Sequence, residues 1–306
     1  MAEHVGLALA DRREMSEEQW LLARKAGIGA SDIAAILGLS KYASPLTVWM
    51  DKTSPEVDHE SSLAAELGQE LEPFIRRKFT KWMKTEEGLD ITVEEMPYIL
   101  QHPEHPFILA NLDGAFWHPA RELWCDLECK TAGEYVKADW DNGEMPDGYY
   151  AQVQQQLAVT GWELAYVPVL IGNRQFEVRV VPRNQDVING LIAAAQTFWN
   201  DFVIPKVAPA PIGLAADTDA LKLLYPSGGK DPINLEHMAD TYDELKALAR
   251  VKKETEARQE QLKQLFMSEM GDAEVAVIGK GRVTWKMIER KAYSVEASSS
   301  RQFRVY

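Results

Sequence analysis

Hydrophobic residues that recur every three or four positions predict several helices along this chain. Ser31 or Asp32 is expected to cap a short helix over Ile33–Leu37 that ends at Gly38. Pro73 lies inside the most regular segment and predicts a kink or a break there. The helical segments predicted in this way are residues 16–26, 33–37, 45–50, 61–84, 146–161, 184–203 and 235–270.

Segments rich in β-branched and aromatic residues alternate with these helices and predict strands. Glycine-centred turns at residues 172–174 and 279–281 indicate two hairpins. The strands expected are Glu95–Gln101, Ile108–Trp117, Leu123–Thr131, Glu163–Ile171, Gln175–Pro182, Glu274–Ile278 and Arg282–Ile288.

This mixture of strands and helices is typical of the α/β and α+β classes, with a sheet flanked by helices. The proline-rich segment Ile204–Leu214 indicates an extended connector. We therefore expect a core domain over residues 1–210. A C-terminal extension over residues 211–306 would hold a long helix and a hairpin.

Composition narrows the class of protein. The 306 residues are 46% hydrophobic and 26% charged, which is ordinary for a folded soluble protein. No apolar run is long enough to span a membrane, and the polar N-terminus does not resemble a secretory signal. Only Cys125 and Cys129 are available as thiols, which matches neither a zinc site nor a four-cysteine cluster. A reducing bacterial cytoplasm is the simplest expectation.

A net charge of −14 argues against a protein whose whole surface coats nucleic acid. It leaves room for a DNA enzyme with carboxylates at a metal site and a local basic groove. Arg76, Arg77, Lys78, Lys81 and Lys84 form a basic stretch that either follows a DNA backbone or is a solvated helix face.

The most informative chemistry lies in two segments, Asp113-Gly114 and Glu128-Cys129-Lys130. Side chains alternate along a strand, so Glu128 and Lys130 should project to one face and Cys129 to the other. Asp113 would lie on the partner strand of the same hairpin. Hydrolysis of a phosphodiester needs an activated water and a cation that offsets the developing charge, and oxygen ligands suit Mg²⁺. Taken alone, the pattern is more often a solvated Glu–Lys pair on a surface hairpin, because surface ion pairs are frequent.

Four motifs in order make the prediction more specific. They are the segment 29–38 followed by Ser44-Pro45-Leu46, the segment Gly68–Pro73, the pair Asp113-Gly114 with Glu128-Cys129-Lys130, and Tyr149-Tyr150-Ala151-Gln152. Together they resemble the YqaJ-type phage recombinases and the lambda-exonuclease family, within the PD-(D/E)xK nuclease superfamily. The resemblance implies a restriction-endonuclease-like core.

The resemblance also implies roles for individual residues. Asp113, Glu128 and the backbone carbonyl of Cys129 would bind Mg²⁺, for which Mn²⁺ could substitute, and Lys130 would orient the attacking water. Glu72 would help ligate a second ion or hold its waters. A pocket for a terminal 5′-phosphate would include Arg24, Ser31, Gln152, Asn111 and Tyr149.

Each of these residues also has an ordinary interpretation. Arg24 alone fits a solvated helix charge, Ser31 a helix cap, and Glu72 a carboxylate on a helix surface. Gln152, Gln154, Gln155 and Gln156 alone would indicate an exposed polar helix face, with Val153 and Leu157 turned inward.

The family resemblance implies a Mg²⁺-dependent deoxyribonuclease that degrades double-stranded DNA ends from 5′ to 3′ and leaves 3′ single-stranded tails. It further implies a homotrimeric ring, a phage or prophage origin, and a single-strand annealing protein as partner. Two alternatives stay open: a structure-specific or restriction-type endonuclease, and a DNA-end-binding module without catalysis.

Overall fold

A computed structural model of the chain describes residues 6–56, 62–172, 174–227 and 231–289. Its residues form two compact units, Met1–Leu224 and Tyr225–Tyr306. The helices are α1 (Glu17–Arg24), α2 (Ala30–Ile36), α3 (Pro45–Thr53), α4 (Leu63–Glu86), α5 (Asp147–Thr160), α6 (Gln185–Phe198), α7 (Ala215–Leu224) and α8 (Ala239–Met270). Short 3₁₀ segments lie at Arg12–Glu14, Glu134–Gly143 and Glu236–Met238, and a π-type turn at Trp199–Val203 follows α6.

The strands form three sheets. Their bounds are β1 (Leu7–Asp11), β2 (Val93–Glu94), β3 (Tyr98–Gln101), β4 (Leu109–Ala110), β5 (Gly114–His118), β6 (Leu123–Leu127), β7 (Lys130–Ala132), β8 (Leu164–Ile171), β9 (Gln175–Pro182), β10 (Val275–Ile278) and β11 (Gly281–Thr284).

The largest sheet is mixed and holds six strands. β2, β5 and β6 are antiparallel neighbours, and β6 and β7 both run parallel to β8, which pairs on its other edge with β9. A three-stranded sheet has the order β1-β3-β4. The predicted mixed class, with a central sheet flanked by helices, is confirmed.

Helices cover both faces of the large sheet, as its two buried clusters show. On one face α4 contributes Ile75 and Phe79 to a cluster with Phe116 and Tyr166. On the other face α5 contributes Val153 and Leu157 to the larger cluster, which also includes residues of α2 and α6. A sheet buried on both sides in this way leaves its strand ends as the natural place for polar chemistry.

The start of α2 differs from the prediction. The cap position belongs to Gly29, and Asp32 lies one turn inside the helix, where its carboxylate accepts a hydrogen bond from the Gly29 N–H at 2.8 Å. The helix therefore begins three residues earlier than the predicted Ile33, because the aspartate caps it from the third helical position. Ser31 lies in the first turn with its side chain exposed.

The long helix α4 continues through Pro73 without a break. Its packed face, with Ile75, Phe79 and Met83 fully buried, holds the helix together across the proline. The prediction from apolar periodicity was therefore right about the helix and wrong about the alternative of a break at Pro73.

Two predicted strands are each divided in the structure. Ile108–Trp117 separates into β4 and β5, which belong to different sheets, and Leu123–Thr131 separates into β6 and β7. The two interruptions leave Asp113 and Glu128 outside regular strands. Leu112 and Cys129 continue the apolar alternation through the two interruptions, so periodicity alone could not locate them.

The second unit contains α8 and the hairpin of β10 and β11. The division between the two compact units falls after α7, whereas the sequence predicted a boundary between a core domain and a C-terminal extension at residue 210; that domain boundary stays a prediction. Within the described residues, no helix is long and apolar enough to cross a bilayer.

Candidate active site

The pairing of β5 with β6 brings Asp113 and Glu128 to the same end of the large sheet. Gly114 pairs with Leu127 as the last antiparallel pair, so the residues just beyond, Asp113 and Glu128, emerge side by side. The Cys129 N–H donates a hydrogen bond to Asp113 Oδ2 at 2.7 Å and fixes the aspartate against the opposite chain.

Gly114 allows this close arrangement. A Cβ atom at this position would lie 2.8 Å from Val93 Cγ1 and 3.3 Å from the Glu94 carbonyl oxygen, both on the neighbouring β2. The glycine after Asp113 is therefore required by packing against β2.

Glu128 and Lys130 project to one face of the sheet, as strand alternation predicts. Lys130 Nζ lies 2.6 Å from Glu128 Oε1, and the two side chains are 15% and 4% exposed. Cys129, between them, points to the other face and packs in the cluster beneath α4. Both charged groups of this pair are shielded from water, whereas those of a surface pair remain solvated.

Two glutamines of helix α5 donate hydrogen bonds to the carboxylate of Glu128. Gln152 Nε2 donates to Glu128 Oε1 at 2.6 Å, and its own Oε1 accepts from Lys130 Nζ at 3.0 Å. One turn later, Gln156 Nε2 donates to Glu128 Oε2 at 2.6 Å and to the Asn111 carbonyl at 3.0 Å. Both carboxylate oxygens of Glu128 are thereby oriented before any ligand binds.

The interpretation of these glutamines as an exposed polar face was wrong. Gln154, Gln155 and Gln156 are each at most 2% exposed. Gln154 Nε2 donates to the Pro182 carbonyl, and Gln155 Nε2 donates to the carbonyls of Ile28 and Leu109. Helical periodicity could not reveal them because glutamine counts as polar wherever its amide is satisfied.

Burial and mutual repulsion dominate the electrostatics of the carboxylates. Burial, with the charges of Glu128 and Glu72, raises the pKa of Asp113 well above its ordinary range. Burial and the charge of Glu128 also raise the pKa of Glu72. Burial acts to lower the pKa of Lys130, but Glu128 and Asp113 outweigh it and leave that pKa above its ordinary value, so the ammonium stays charged.

If all of these carboxylates are ionised together, they carry more negative charge than Lys130 alone can offset, a situation that a divalent cation relieves. Among the described residues, no three side chains of Asp, Glu, His or Cys stand close enough together to hold an ion by themselves. A cation would need backbone and water ligands as well. Asp113, Glu128 and the Cys129 carbonyl form a set of hard oxygen donors of the kind that Mg²⁺ accepts, since this ion retains several waters.

Helix α4 brings two further charged residues to the site from the opposite face of the sheet. Arg76 donates from Nη1 to the Asp113 carbonyl at 3.1 Å, and its Nη2 lies 3.1 Å from Glu95 Oε1. Glu72 lies one turn before Arg76 on the same helix and is half-buried.

Of the residues predicted for the phosphate pocket, some contact Glu128 or Lys130 and others have no described contact with them. Gln152 meets Glu128 and Lys130 directly, and the ring centroid of Tyr149 lies 4.7 Å from Lys130 Nζ. Asn111 donates from its amide to the Tyr98 carbonyl at 2.9 Å. Arg24 is half-buried at the end of α1, and Ser31 is exposed in the first turn of α2; the structure describes no contact that joins either side chain to Glu128 or Lys130.

The helices that carry Arg24 and Ser31 are nevertheless fixed to the site. Lys52, whose side chain is 3% exposed, lies 2.7 Å from Asp32 of α2 and donates to the Arg24 carbonyl at 3.3 Å. At the start of α5, a Cβ on Gly148 would lie 3.3 Å from the Cβ of Ala34, so α2 packs closely on α5.

Sequence reasoning missed two buried polar residues at the centre. Gln156 could have been found from its spacing, since it follows Gln152 by four positions and shares its face. Asp126 precedes Glu128 by two positions on the same face of the sheet, is fully buried, and neither of its oxygens has a hydrogen-bond partner among the described residues. Burial, with the charges of Glu128 and Asp113, raises the pKa of Asp126 well above its ordinary range.

Comparison with known proteins identifies the family of this chain. The profile of the YqaJ-like viral recombinase domain matches residues 19–163, the segment that carries every candidate site residue. The Bacillus subtilis (strain 168) protein YqaJ is 35% identical over 286 residues, which cover 92% of this chain and 86% of that protein. This chain belongs to the YqaJ family. The predicted resemblance is therefore confirmed.

The fold of the YqaJ-like chain is similar to that of a solved exonuclease. The crystal structure of LHK-Exo in complex with dAMP matches with a TM-score of 0.51 and 21% identity, covering 62% of this chain and 94% of that one. A second structure, of the alkaline exonuclease LHK-Exo from Laribacter hongkongensis, gives a TM-score of 0.49 and 22% identity over the same shares. The first match shows that this chain shares the fold of LHK-Exo, a mixed sheet flanked by helices.

Proposed function

We propose that this YqaJ-like protein is a metal-dependent exonuclease that degrades double-stranded DNA ends from 5′ to 3′ and leaves 3′ single-stranded tails for recombination by strand annealing. The observation that carries the proposal is the convergence of Asp113, Glu128 and Lys130 at one end of a sheet whose fold is shared with an exonuclease. Membership of a viral recombinase family supports the role in recombination.

Asp113, Glu128 and the Cys129 carbonyl would hold Mg²⁺, and Mn²⁺ would substitute because it accepts the same oxygen ligands. Bound there, the ion would supply Lewis-acid stabilisation of the charge that develops on the phosphate oxygens. Since Lys130 and the two glutamines occupy three acceptor positions of Glu128, about one of the roughly four lone pairs of its carboxylate is left for the ion.

Lys130 would position the attacking water and stabilise it as it loses its proton. Its ammonium is held by Glu128 and Gln152 and lies above the Tyr149 ring, so its direction is fixed on three sides. Glu72, half-buried across the site, would hold waters of the ion or a second ion, which agrees with the absence of a third side-chain ligand in the described residues.

A pocket for the terminal 5′-phosphate would lie on the α5 side of the centre. Gln152 and Tyr149 would form its inner wall, and Arg24 and Ser31, held by α1 and α2, would close it around the phosphate. Asn111 has one amide N–H engaged with the Tyr98 carbonyl and would use its second N–H for the phosphate.

A homotrimeric ring around DNA and a single-strand annealing protein as partner complete the proposal. The ring is supported by charge: an excess of −14 on the whole chain is compatible with DNA binding if basic residues line an enclosed channel and acidic residues face outward. Sedimentation of the full chain would test the trimer.

The experiment that tests the activity uses linear duplex DNA labelled separately at its 5′ and 3′ ends, beside a closed circular DNA, with and without Mg²⁺. We expect early Mg²⁺-dependent release of the 5′ label, a 3′ single-stranded tail, and an intact circle. A nicked or cut circle would favour an endonuclease of the same superfamily, and binding without hydrolysis would favour a DNA-end-binding module.

Two sets of variants connect this activity to the site. Glu128→Ala and Lys130→Ala should each abolish hydrolysis while the circular dichroism spectrum stays that of the folded protein. Arg24→Ala should reduce the preference for 5′-phosphorylated over 5′-hydroxyl ends. An unchanged ratio would remove Arg24 from the phosphate pocket and leave the catalytic assignment standing.

A further inference from the structure

A groove with a volume of about 360 Å³ lies beside the candidate active site on its α4 side. One wall is formed by Arg76, Arg77 and Thr80 of α4, and the other by the segment from Ile91 to Glu95. It is open to solvent, and its polar lining comprises the guanidinium groups of Arg76 and Arg77, the threonines Thr80 and Thr92, and the carboxylate of Glu95. The guanidinium and hydroxyl groups are donors of the kind that bind phosphate oxygens in protein–nucleic acid contacts.

The groove is joined to the proposed metal centre by Arg76. One nitrogen of this side chain lies 3.1 Å from the carbonyl oxygen of Asp113. Glu72, Arg76 and Thr80 follow one another at four-residue steps, so this face of α4 leads away from the carboxylates in steps of about 6 Å. A strand whose phosphate is held at Asp113 and Glu128 can therefore place its next phosphate against Arg76.

The sheet separates this groove from the proposed 5′-phosphate pocket. Gln152 and Tyr149 belong to α5 on one face, whereas Arg76 and Arg77 belong to α4 on the other. The carboxylates lie at the sheet end between the two helices. A DNA strand with its 5′ end on the α5 side therefore crosses the carboxylates and continues along α4.

The ion pair between Arg76 and Glu95 can yield to a phosphate. The Glu95 side chain is 76% exposed, so water screens the pair and makes it weak. Arg76 itself is only 17% exposed and is anchored by the Asp113 carbonyl, so its guanidinium keeps its direction when Glu95 moves away. A planar guanidinium held in this way can bind a phosphate through two parallel hydrogen bonds.

We propose that this groove binds the backbone phosphate on the 3′ side of the scissile phosphate, with Arg76 as its main ligand and Arg77 as a second contact. The proposal rests on the exonuclease function proposed above and adds a DNA-binding site to it. By binding the strand on the 3′ side of the cleaved bond, the groove positions the DNA end for hydrolysis of its first linkage.

The test measures kcat/KM for release of a labelled first nucleotide from a 5′-phosphorylated duplex. One substrate has natural linkages, and the other has a neutral methylphosphonate at the second linkage only. In wild-type protein, kcat/KM should fall about thirtyfold on the neutral linkage, because two charge-assisted contacts are lost. In Arg76→Gln, kcat/KM should fall about tenfold on natural DNA and only about threefold further on the neutral linkage, because the Arg77 contact remains.

Lys78→Gln is the matched control, since it removes one positive charge from the same helix outside the groove, where Lys78 Nζ lies 5.9 Å from the Phe176 ring centroid. It should keep the wild-type rate and the full sensitivity to the neutral linkage. The dependence of log KM on log salt should fall by about one unit of slope in Arg76→Gln and stay unchanged in Lys78→Gln.

Arg77→Gln keeps the test decisive if Arg76→Gln fails to fold, because Arg77 is exposed. Its kcat/KM should fall about threefold on natural DNA, and it should show reduced sensitivity to the neutral linkage. Full sensitivity to the neutral linkage in folded Arg76→Gln or, if that variant does not fold, in Arg77→Gln would overturn the proposal.

The experiment also separates this proposal from the function on which it rests. If wild-type protein releases the first nucleotide but is indifferent to the neutral linkage, the groove proposal falls and the exonuclease stands. If wild-type protein releases no nucleotide from either duplex, both proposals fall together.

Discussion

Glu128 is held by side chains from two elements, Lys130 on β7 and Gln152 and Gln156 on α5. Each contact is a hydrogen bond to a charged oxygen, the stronger class of hydrogen bond in proteins. The carboxylate therefore has one orientation, which is what a metal ligand needs in order to bind an ion without reorganisation.

Replacing Gln156 by Leu should weaken this orientation without removing a ligand. We expect kcat/KM for nucleotide release to fall about 10–100-fold and the Mg²⁺ concentration for half-maximal rate to rise, as for other residues that position a metal ligand. A Mg²⁺ titration of the exonuclease rate measures both effects.

Gln154→Leu is the control for this prediction. Gln154 is equally buried on the same helix, but its amide bonds the Pro182 carbonyl and the Asn184 N–H. It should lower thermal stability and leave the Mg²⁺ requirement unchanged. Equal Mg²⁺ requirements in Gln156→Leu and wild type would contradict the positioning role.

Asp126 should make stability depend on pH. Its folded pKa is raised, so the folded state holds a proton that the unfolded state releases near pH 4. Stability contributed by this group is therefore greatest at low pH and falls as the pH rises through the interval between the unfolded and the folded pKa. In EDTA, Asp126→Asn should raise the melting temperature at pH 8 by about 2–6 °C and change it little at pH 4.

Asp90→Asn provides the comparison for Asp126, because Asp90 is 80% exposed and pairs only with an exposed lysine in the described structure. It should leave the melting temperature nearly unchanged at both pH values. A melting temperature of Asp126→Asn equal to that of wild type at pH 8 would show that the buried carboxyl has a partner in solution.

The sequence predicted that Asp113, Glu128 and Lys130 would converge, but it did not predict that the glutamines of α5 would be buried. Asp113, Glu128 and Lys130 follow from strand alternation and the family motifs. The burial of Gln154, Gln155 and Gln156 depends on backbone carbonyls contributed by residues that are distant in sequence, including Ile28 and Pro182. A local pattern carries no information about such acceptors.

At the scale of elements, the interrupted strands matter most. β5 begins at Gly114 and β6 ends at Leu127, so the chain leaves regular pairing just where the carboxylates emerge. The sequence indicates both strands but not their interruptions, because the residues on either side remain apolar. Two helix boundaries were easier to predict: α1 begins after the cap residue Ser16 and α5 ends before Gly161, which are standard signals and agree with the predicted segments 16–26 and 146–161.

Gly114→Ala should disturb this arrangement. The added methyl group would meet Val93 at 2.8 Å, so β2 or the Asp113 segment must shift. We expect a loss of about 1–3 kcal/mol in the free energy of unfolding and reduced nucleotide release. Urea denaturation followed by circular dichroism measures the first effect.

Gly190→Ala is the opposite case on α6, where an added Cβ would have no neighbour within 4 Å. It should raise the free energy of unfolding by about 0.5–1 kcal/mol, since alanine favours a helix and restricts the unfolded chain. If Gly114→Ala left the free energy of unfolding unchanged or raised it as Gly190→Ala should, the packing argument for Gly114 would fail.

At the scale of the whole molecule, the compact unit 1–224 contains all three described hydrophobic clusters, which extend from Trp20 to Val203. α7 closes this unit: Ala220 is 4% exposed, and Asp217 accepts hydrogen bonds from the N–H groups of residues 212–214. α7 also packs against α3.

A chain ending at Leu224 should therefore fold by itself. We expect a cooperative melting transition within about 5 °C of the full chain, whereas a chain ending at residue 210 should melt at least about 5 °C lower because α3 loses its cover. Differential scanning calorimetry of the two truncated chains decides this. Equal melting temperatures of the two truncated chains would place the end of the folded core domain at residue 210, as the sequence predicted.

Folding as well as chemistry should conserve the glutamines of α5. Gln155 and Gln156 satisfy buried carbonyl groups of the scaffold, and Gln156 also orients Glu128. Selection against misfolding alone would preserve them. Glu128 and Lys130 form a buried ion pair whose side chains satisfy no scaffold carbonyl in the described structure, so only the proposed chemistry requires it. A lineage that no longer used the proposed reaction would thus lose this pair together and keep Gln155, and the pattern of loss among relatives would record which of them kept the reaction.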